Sequence, residues 1–159
     1  MQSCDGAVVS KILAGTRSRL RRFQGAGAGA AQPKVSEPMG LRLNPDLIAG
    51  AYEFLRLTPP FRGWRLPHAD DVEFVVSRHR THVAYHRGLR RKVRSHEIGV
   101  SEVCVGHTNT LLRAMAHEMI HQYQQRARSE TPHTEHNAEF LRLARLVCRY
   151  HGWDEKEFL

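Results

Sequence analysis

Paired cysteines are missing from this chain. Cys4, Cys104 and Cys148 are odd in number and far apart, so neither a disulfide framework nor a Cys-x-x-Cys metal ribbon can be built from them, and a reducing compartment suits such a chain. Long apolar runs are missing too. Nothing approaches the roughly 20 residues of a spanning helix, and the stretch Ala7 to Gly15 is interrupted by Lys11, which spoils it as the core of a secretory signal. The expectation is a cytoplasmic or nucleoid-associated protein with no signal peptide, transmembrane segment or membrane partner. Acids are the minority sign, 16 against 24 Lys and Arg, and only 4 of those cations are Lys. What is present excludes a disordered acidic chain or a collagen. The chain has 159 residues, 41% of them hydrophobic, enough for one domain with a single core.

The positive charge is unevenly spread. Residues 1–34 hold six cations against Asp5 alone, and from Arg78 to Arg94 there are seven cations and no acid, so the remainder of this +8 chain is net acidic. Two basic segments favour a polyanion, with nucleic acid ahead of an anionic membrane, because cations that neutralise phosphates release bound counterions. In the second segment Arg78, Arg80, Arg87, Arg90, Arg91, Lys92 and Arg94 alternate with Tyr85 and three histidines. They are the candidate surface for single- or double-stranded DNA; an ordinary solvated hairpin is the competing explanation.

Residues 1–40 combine an Arg-rich piece, Thr16 to Phe23, with the run Gly25 to Ala31, and neither buries enough apolar area to offset its ordering entropy. A flexible basic tail is expected there, whether solubilising, polyanion-binding or a transit peptide, with the folded domain over residues 41–159. Order should begin at Asn44, an N-cap followed by Pro45 and then Leu47, Ile48, Ala51, Tyr52, Phe54 and Leu55 at helical spacing. The helix should end before Thr58-Pro59-Pro60. Val72 to Val76, Thr81 to His86 and Ile98 to Val105 read as strands, with the Arg90 to Arg94 segment as a turn between the last two. Asn109 to about Arg126 is helical, and a last helix is expected from about Glu135 to Tyr150, ending at Gly152. The order predicts an α+β fold with a small, mainly antiparallel three-stranded sheet packed on helices.

The central helix carries His117-Glu118-Met119-Ile120-His121. At 3.6 residues per turn the two imidazoles project from one face, one turn apart, and can grip one ion, while Glu118 stands beside it, rotated by roughly 100°. One zinc ion per chain suits this set, since it takes neutral imidazoles and lowers the pKa of a water toward about 7. A chance match would be a His pair on a solvated face. Here Leu111, Leu112, Met115, Ala116, Met119, Ile120 and Tyr123 leave little of the helix for water, and unpaired buried imidazoles would be destabilising by a few kcal/mol. A third ligand is needed with a fourth position open. His133, Glu135, His136, Glu139 and His151 are the downstream candidates, and spacing alone does not choose between a histidine and a glutamate.

His117-Glu118-Met119-Ile120-His121, the later His136-x-x-Glu139-Phe140 and the upstream Gly63-Trp64-Arg65-Leu66-Pro67 together resemble the SprT-like zinc metalloprotease family, the group that includes the Spartan DNA-protein crosslink protease. The resemblance covers roughly Pro45 to Trp153. It implies a zincin-like domain with His117, His121 and His136 as zinc ligands, Glu118 as general base, a protein substrate and action on DNA-associated proteins. Two departures stand out. Asn137 occupies a position where the family often has Gly, and Asn is the residue next most tolerant of unusual backbone angles. The zinc ribbon of many relatives has no counterpart, so DNA contact is expected from the domain itself or its N-terminal tail.

The expected function is therefore a zinc metallopeptidase. Glu118 would take the proton of the attacking water and pass it to the leaving amine. A non-catalytic nucleic-acid-binding protein with a structural zinc, and a zinc hydrolase of another class with Glu135 or Glu139 as third ligand, are the alternatives.

Overall fold

The computed structural model describes residues 42–90, 93–131, 134 and 136–159. The chain falls into two units, Met1–Pro38 and Met39–Leu159, and all described residues belong to the second; the tail expected over residues 1–40 lies outside them.

Local signals decide the first helix, α1 (Pro45–Leu57). The Asn44 side chain accepts from the Leu47 N–H at 2.8 Å, Pro45 occupies the first helical position, and Ile48, Ala51, Tyr52 and Leu55 form the buried stripe. Thr58 is extended, as a residue ahead of proline must be. The chain then makes two single turns of 3-10 helix, Phe61–Gly63 and Ala69–Asp71. Between them the Tyr52 hydroxyl donates to the Pro67 carbonyl at 2.8 Å and lies 3.0 Å from the side-chain amide of Gln122. The nearer amide atom is Gln122 Oε1, so the single phenol proton is shared between two acceptor oxygens.

Three strands follow, β1 (Val72–Ser77), β2 (Ala84–Gly88) and β3 (His96–Ser101), in the spatial order β1-β3-β2. β3 is central and buried along its whole length. It runs parallel to β1, with Val72 opposite His96 and Ser77 opposite Ser101, and antiparallel to β2. The sheet is thus mixed, not mainly antiparallel as expected. The physical cause is the segment 78–83, which does not close a hairpin but crosses to the far side and leaves room for β3 between β1 and β2. The buried Ser101 hydroxyl holds that crossover by donating to the His79 carbonyl at 2.5 Å, while the Ser101 N–H bonds the Val83 carbonyl at 2.9 Å. Consequently β2 begins at Ala84, three residues later than expected, and β3 ends four residues earlier than expected.

The long helix α2 (Thr108–Ala127) ends on Arg128 in the left-handed conformation. α3 (Ala138–His151) ends on Gly152, also left-handed and suited to glycine. A four-residue helix, α4 (Glu155–Phe158), was not foreseen. The core lies between the sheet and the helices and includes Leu55, Ile98, Val100, Met115, Met119 and Phe140. No helix among the described residues is long and apolar enough to cross a membrane.

Candidate metal centre

His117 and His121 lie one turn apart on α2, with ring centroids 5.1 Å apart. The His136 ring, from the turn that leads into α3, meets them at 4.8 and 5.4 Å. One nitrogen of each ring lies within 4.8 Å of the other two. Phe140 forms the floor, its ring 4.9, 4.5 and 4.3 Å from those of His117, His121 and His136. Phe140, which closes the downstream motif in the sequence, thus contacts all three imidazoles.

His136 is held in place by its neighbour. The Asn137 side-chain oxygen accepts from the Phe140 N–H, capping α3, and from the Gln124 amide of α2, both at 2.9 Å. Its amide nitrogen donates to the Ser129 carbonyl and the Thr131 hydroxyl, both at 2.9 Å. The backbone φ of Asn137 is −71°, so tolerance of unusual angles plays no part, contrary to expectation. The cap also corrects the helix start from Glu135 to Ala138 and leaves His136 outside the helix. Gln124 was missed. It is polar and almost completely buried, and a Gln inside an apolar helix pattern was the available signal.

Burial and the adjacent His136 hold the His121 imidazole down to about 4, so it is neutral near pH 7. His117 and His136 approach with their Nε2 atoms 3.0 Å apart. Two lone pairs cannot oppose each other at that distance without a proton or a cation between them. His117 donates from its other nitrogen, Nδ1, to the Phe158 carbonyl at 3.3 Å, the partner arrangement usual for metal-bound histidine. Three convergent imidazoles with a fourth direction open fit zinc.

Among the rival third ligands, Glu139 is engaged by Arg142 through two bonds of 2.7 and 2.8 Å, which hold its carboxyl below the usual range. His151 stacks on Trp153 near the far end of α3. His133 and Glu135 lie outside the described residues. Glu118, buried on α2, lines the same cleft as the three histidines. β2 and the residues before it, including Val83, Tyr85 and His86, line the cleft too, as do Phe158 and Leu159.

The candidate DNA-binding cations are not gathered at one place. Arg78 and Arg80 follow β1, at the Ser101 end of the sheet, whereas Arg90 and Arg94 belong to the β2–β3 connection, at the His96 end. Those ends are about 17 Å apart at 3.3 Å per residue. Arg78 pairs with Glu102 at 2.6 Å, Arg87 pairs with the buried Glu97 at 2.8 Å, and Arg94 donates to the Asp70 carbonyl at 3.3 Å. Arg91 and Lys92 lie outside the described residues. The acids that fold back, Glu97 and Glu102, fall just beyond the run counted in the sequence, so the local charge is lower than that run suggests.

Compared with protein-family models, curated proteins and solved structures, the chain matches none.

Proposed function

We propose that this chain is a zinc-dependent metallopeptidase of the SprT-like kind. The observation that carries the reading is the convergence of His117, His121 and His136 to within 4.8 Å, in a cleft that Glu118 also lines. Zinc held there would supply Lewis-acid activation of a carbonyl and of the attacking water. Glu118 is the base that removes the proton from that water and later delivers it to the leaving amine nitrogen. Glu118 is buried in the lining of that cleft. β2 borders the cleft and pairs with β3 alone among the described strands. An extended polypeptide laid along that edge would find main-chain partners, which favours a peptide over a small ester.

DNA-associated proteins are the substrate class that the family resemblance suggests. Support from the basic residues is weaker than their sequence run implied, because Arg78 and Arg87 have acidic partners.

The reading is tested with purified chain. About one zinc per chain is expected by elemental analysis, with cleavage of casein or of a DNA-binding protein, assayed with and without single-stranded DNA. Glu118→Gln should keep the zinc and lose cleavage by about 10²–10⁴-fold, the usual contribution of a positioned proton acceptor. His136→Ala should lose the zinc. Cleavage that survives Glu118→Gln would sink the proposed role of Glu118, and full occupancy in His136→Ala would sink the ligand set.

A further inference from the structure

We propose that α4 is a clamp on His117: it fixes the tautomer and angle of this imidazole through the Phe158 carbonyl, so that zinc affinity depends on how firmly α4 is docked. This inference rests on the metal-site reading above and adds a part of the chain to it that lies outside the H-E-x-x-H helix.

A backbone carbonyl can only accept, so its 3.3 Å contact with His117 Nδ1 puts the ring proton on Nδ1. In a neutral imidazole the other nitrogen, Nε2, is then the one with a lone pair. That is the atom facing His136 at 3.0 Å. One hydrogen bond therefore selects the tautomer and turns the correct nitrogen toward the cluster. The Phe158 ring adds a packing contact, 5.7 Å from the His117 ring and 5.9 Å from Trp153. The Phe158 side chain is buried among core residues.

Four residues of helix have no stability of their own, since nucleation alone outweighs a single turn. α4 is held from outside. Arg113 of α2 pairs with Glu157, and Arg145 of α3 lies 3.5 Å from Glu155. The Asp154 carboxylate caps the turn by accepting from the Lys156 N–H at 2.7 Å, and Gly152 turns the chain back from α3. Arg113 and His117 are four residues apart on α2, so the ion pair and the carbonyl contact secure the same face of that helix. Docking of α4 and orientation of His117 are one event.

Two variants test the clamp, each read by zinc affinity in competition with a chromophoric chelator and by the nitrogen-15 signals of the His117 ring in zinc-free protein. Deletion of residues 154–159 should weaken zinc binding by about 10–100-fold, as loss of a ligand's outer partner does, and should turn a single Nδ1–H form into a mixture. Arg113→Glu leaves the core intact and sets like charges against each other. It should weaken zinc about 2–5-fold and shift the ring signals in the same direction, and Glu157→Arg in the same chain should restore both. Unchanged affinity and ring signals in both variants, with wild type binding zinc, overturn the clamp alone. If wild type binds no zinc, the metal reading fails instead, and the ring signals by themselves decide whether α4 sets the tautomer.

Discussion

Asn137 does two jobs from one side chain, and both bear on where His136 sits. Its oxygen caps α3 and accepts from Gln124, and its amide ties down Ser129 and Thr131 in the preceding loop. The sequence invited a different explanation, in which Asn stands in for a glycine that permits an unusual backbone. The two explanations predict opposite results for Asn137→Gly. If backbone freedom mattered, the variant would be neutral or better. With φ at −71° there is no strain to relieve, and glycine removes the side-chain bonds while adding entropy to the unfolded chain. Loss of the cap by itself would be mild in glycine, but Gln124 is left buried without its partner, which adds about 1–3 kcal/mol. Asn137→Gly is expected to lower stability in urea by about 2 kcal/mol and to weaken zinc binding, because His136 is no longer anchored. An unchanged midpoint and unchanged affinity would return the position to the backbone explanation.

Elements governed by neighbours in sequence were legible, and those governed by distant pairing were not. The start of α1 follows from Asn44 and Pro45, and the two-histidine face of α2 follows from a spacing of four residues. Both are local. The parallel pairing of β1 with β3 depends instead on where segment 78–83 carries the chain, which no nearby residue announces. That pairing then splits the Arg78–Arg94 cations between two ends of the sheet, so a run that is continuous in sequence is divided in space. Spacing left His136 one of several downstream candidates and the family resemblance selected it; its position beside His117 and His121 depends on a turn fixed by Asn137 and Gln124 across two helices. α4 was missed because four residues carry no periodicity. Ser101 is the side chain that makes the crossover specific. Its hydroxyl donates to the His79 carbonyl and accepts from the Val103 N–H at 3.2 Å. Ser101→Ala should cost about 1–2 kcal/mol by stranding those groups, and amide exchange should rise at Val103 and through 78–83 while α2 keeps its protection. Uniform exchange with no local change would mean that the crossover is held by other contacts.

Taken as a whole molecule, the domain keeps uncharged histidines where its sheet meets α2. His86 is pushed down to about 3, first by burial and then by the adjacent His96 and His121. Its Nε2 lies 3.1 Å from His96 Nδ1. His96 is also lowered, by burial and by Arg126, and His121 falls to about 4. The unfolded chain takes up these protons near pH 6.5, so the folded state binds fewer protons than the unfolded one below that pH. Stability from this cluster is therefore complete above about pH 6.5 and declines as pH falls through the window down to about 4 for His121 and about 3 for His86. The slope is about 1.4 kcal/mol per pH unit for each proton refused. Thermal melts from pH 7.5 to 4.5, with a chelator present so that zinc release does not contribute, should show the melting temperature dropping across that range. In His86→Gln the drop should be shallower by about one proton's slope, because glutamine can still bond His96 and has nothing to titrate. A parallel fall in the two proteins would remove His86 from the groups that set the acid limit. Neutrality in this layer also suits the centre beside it, since an imidazolium at His86 would repel a cation bound by His121.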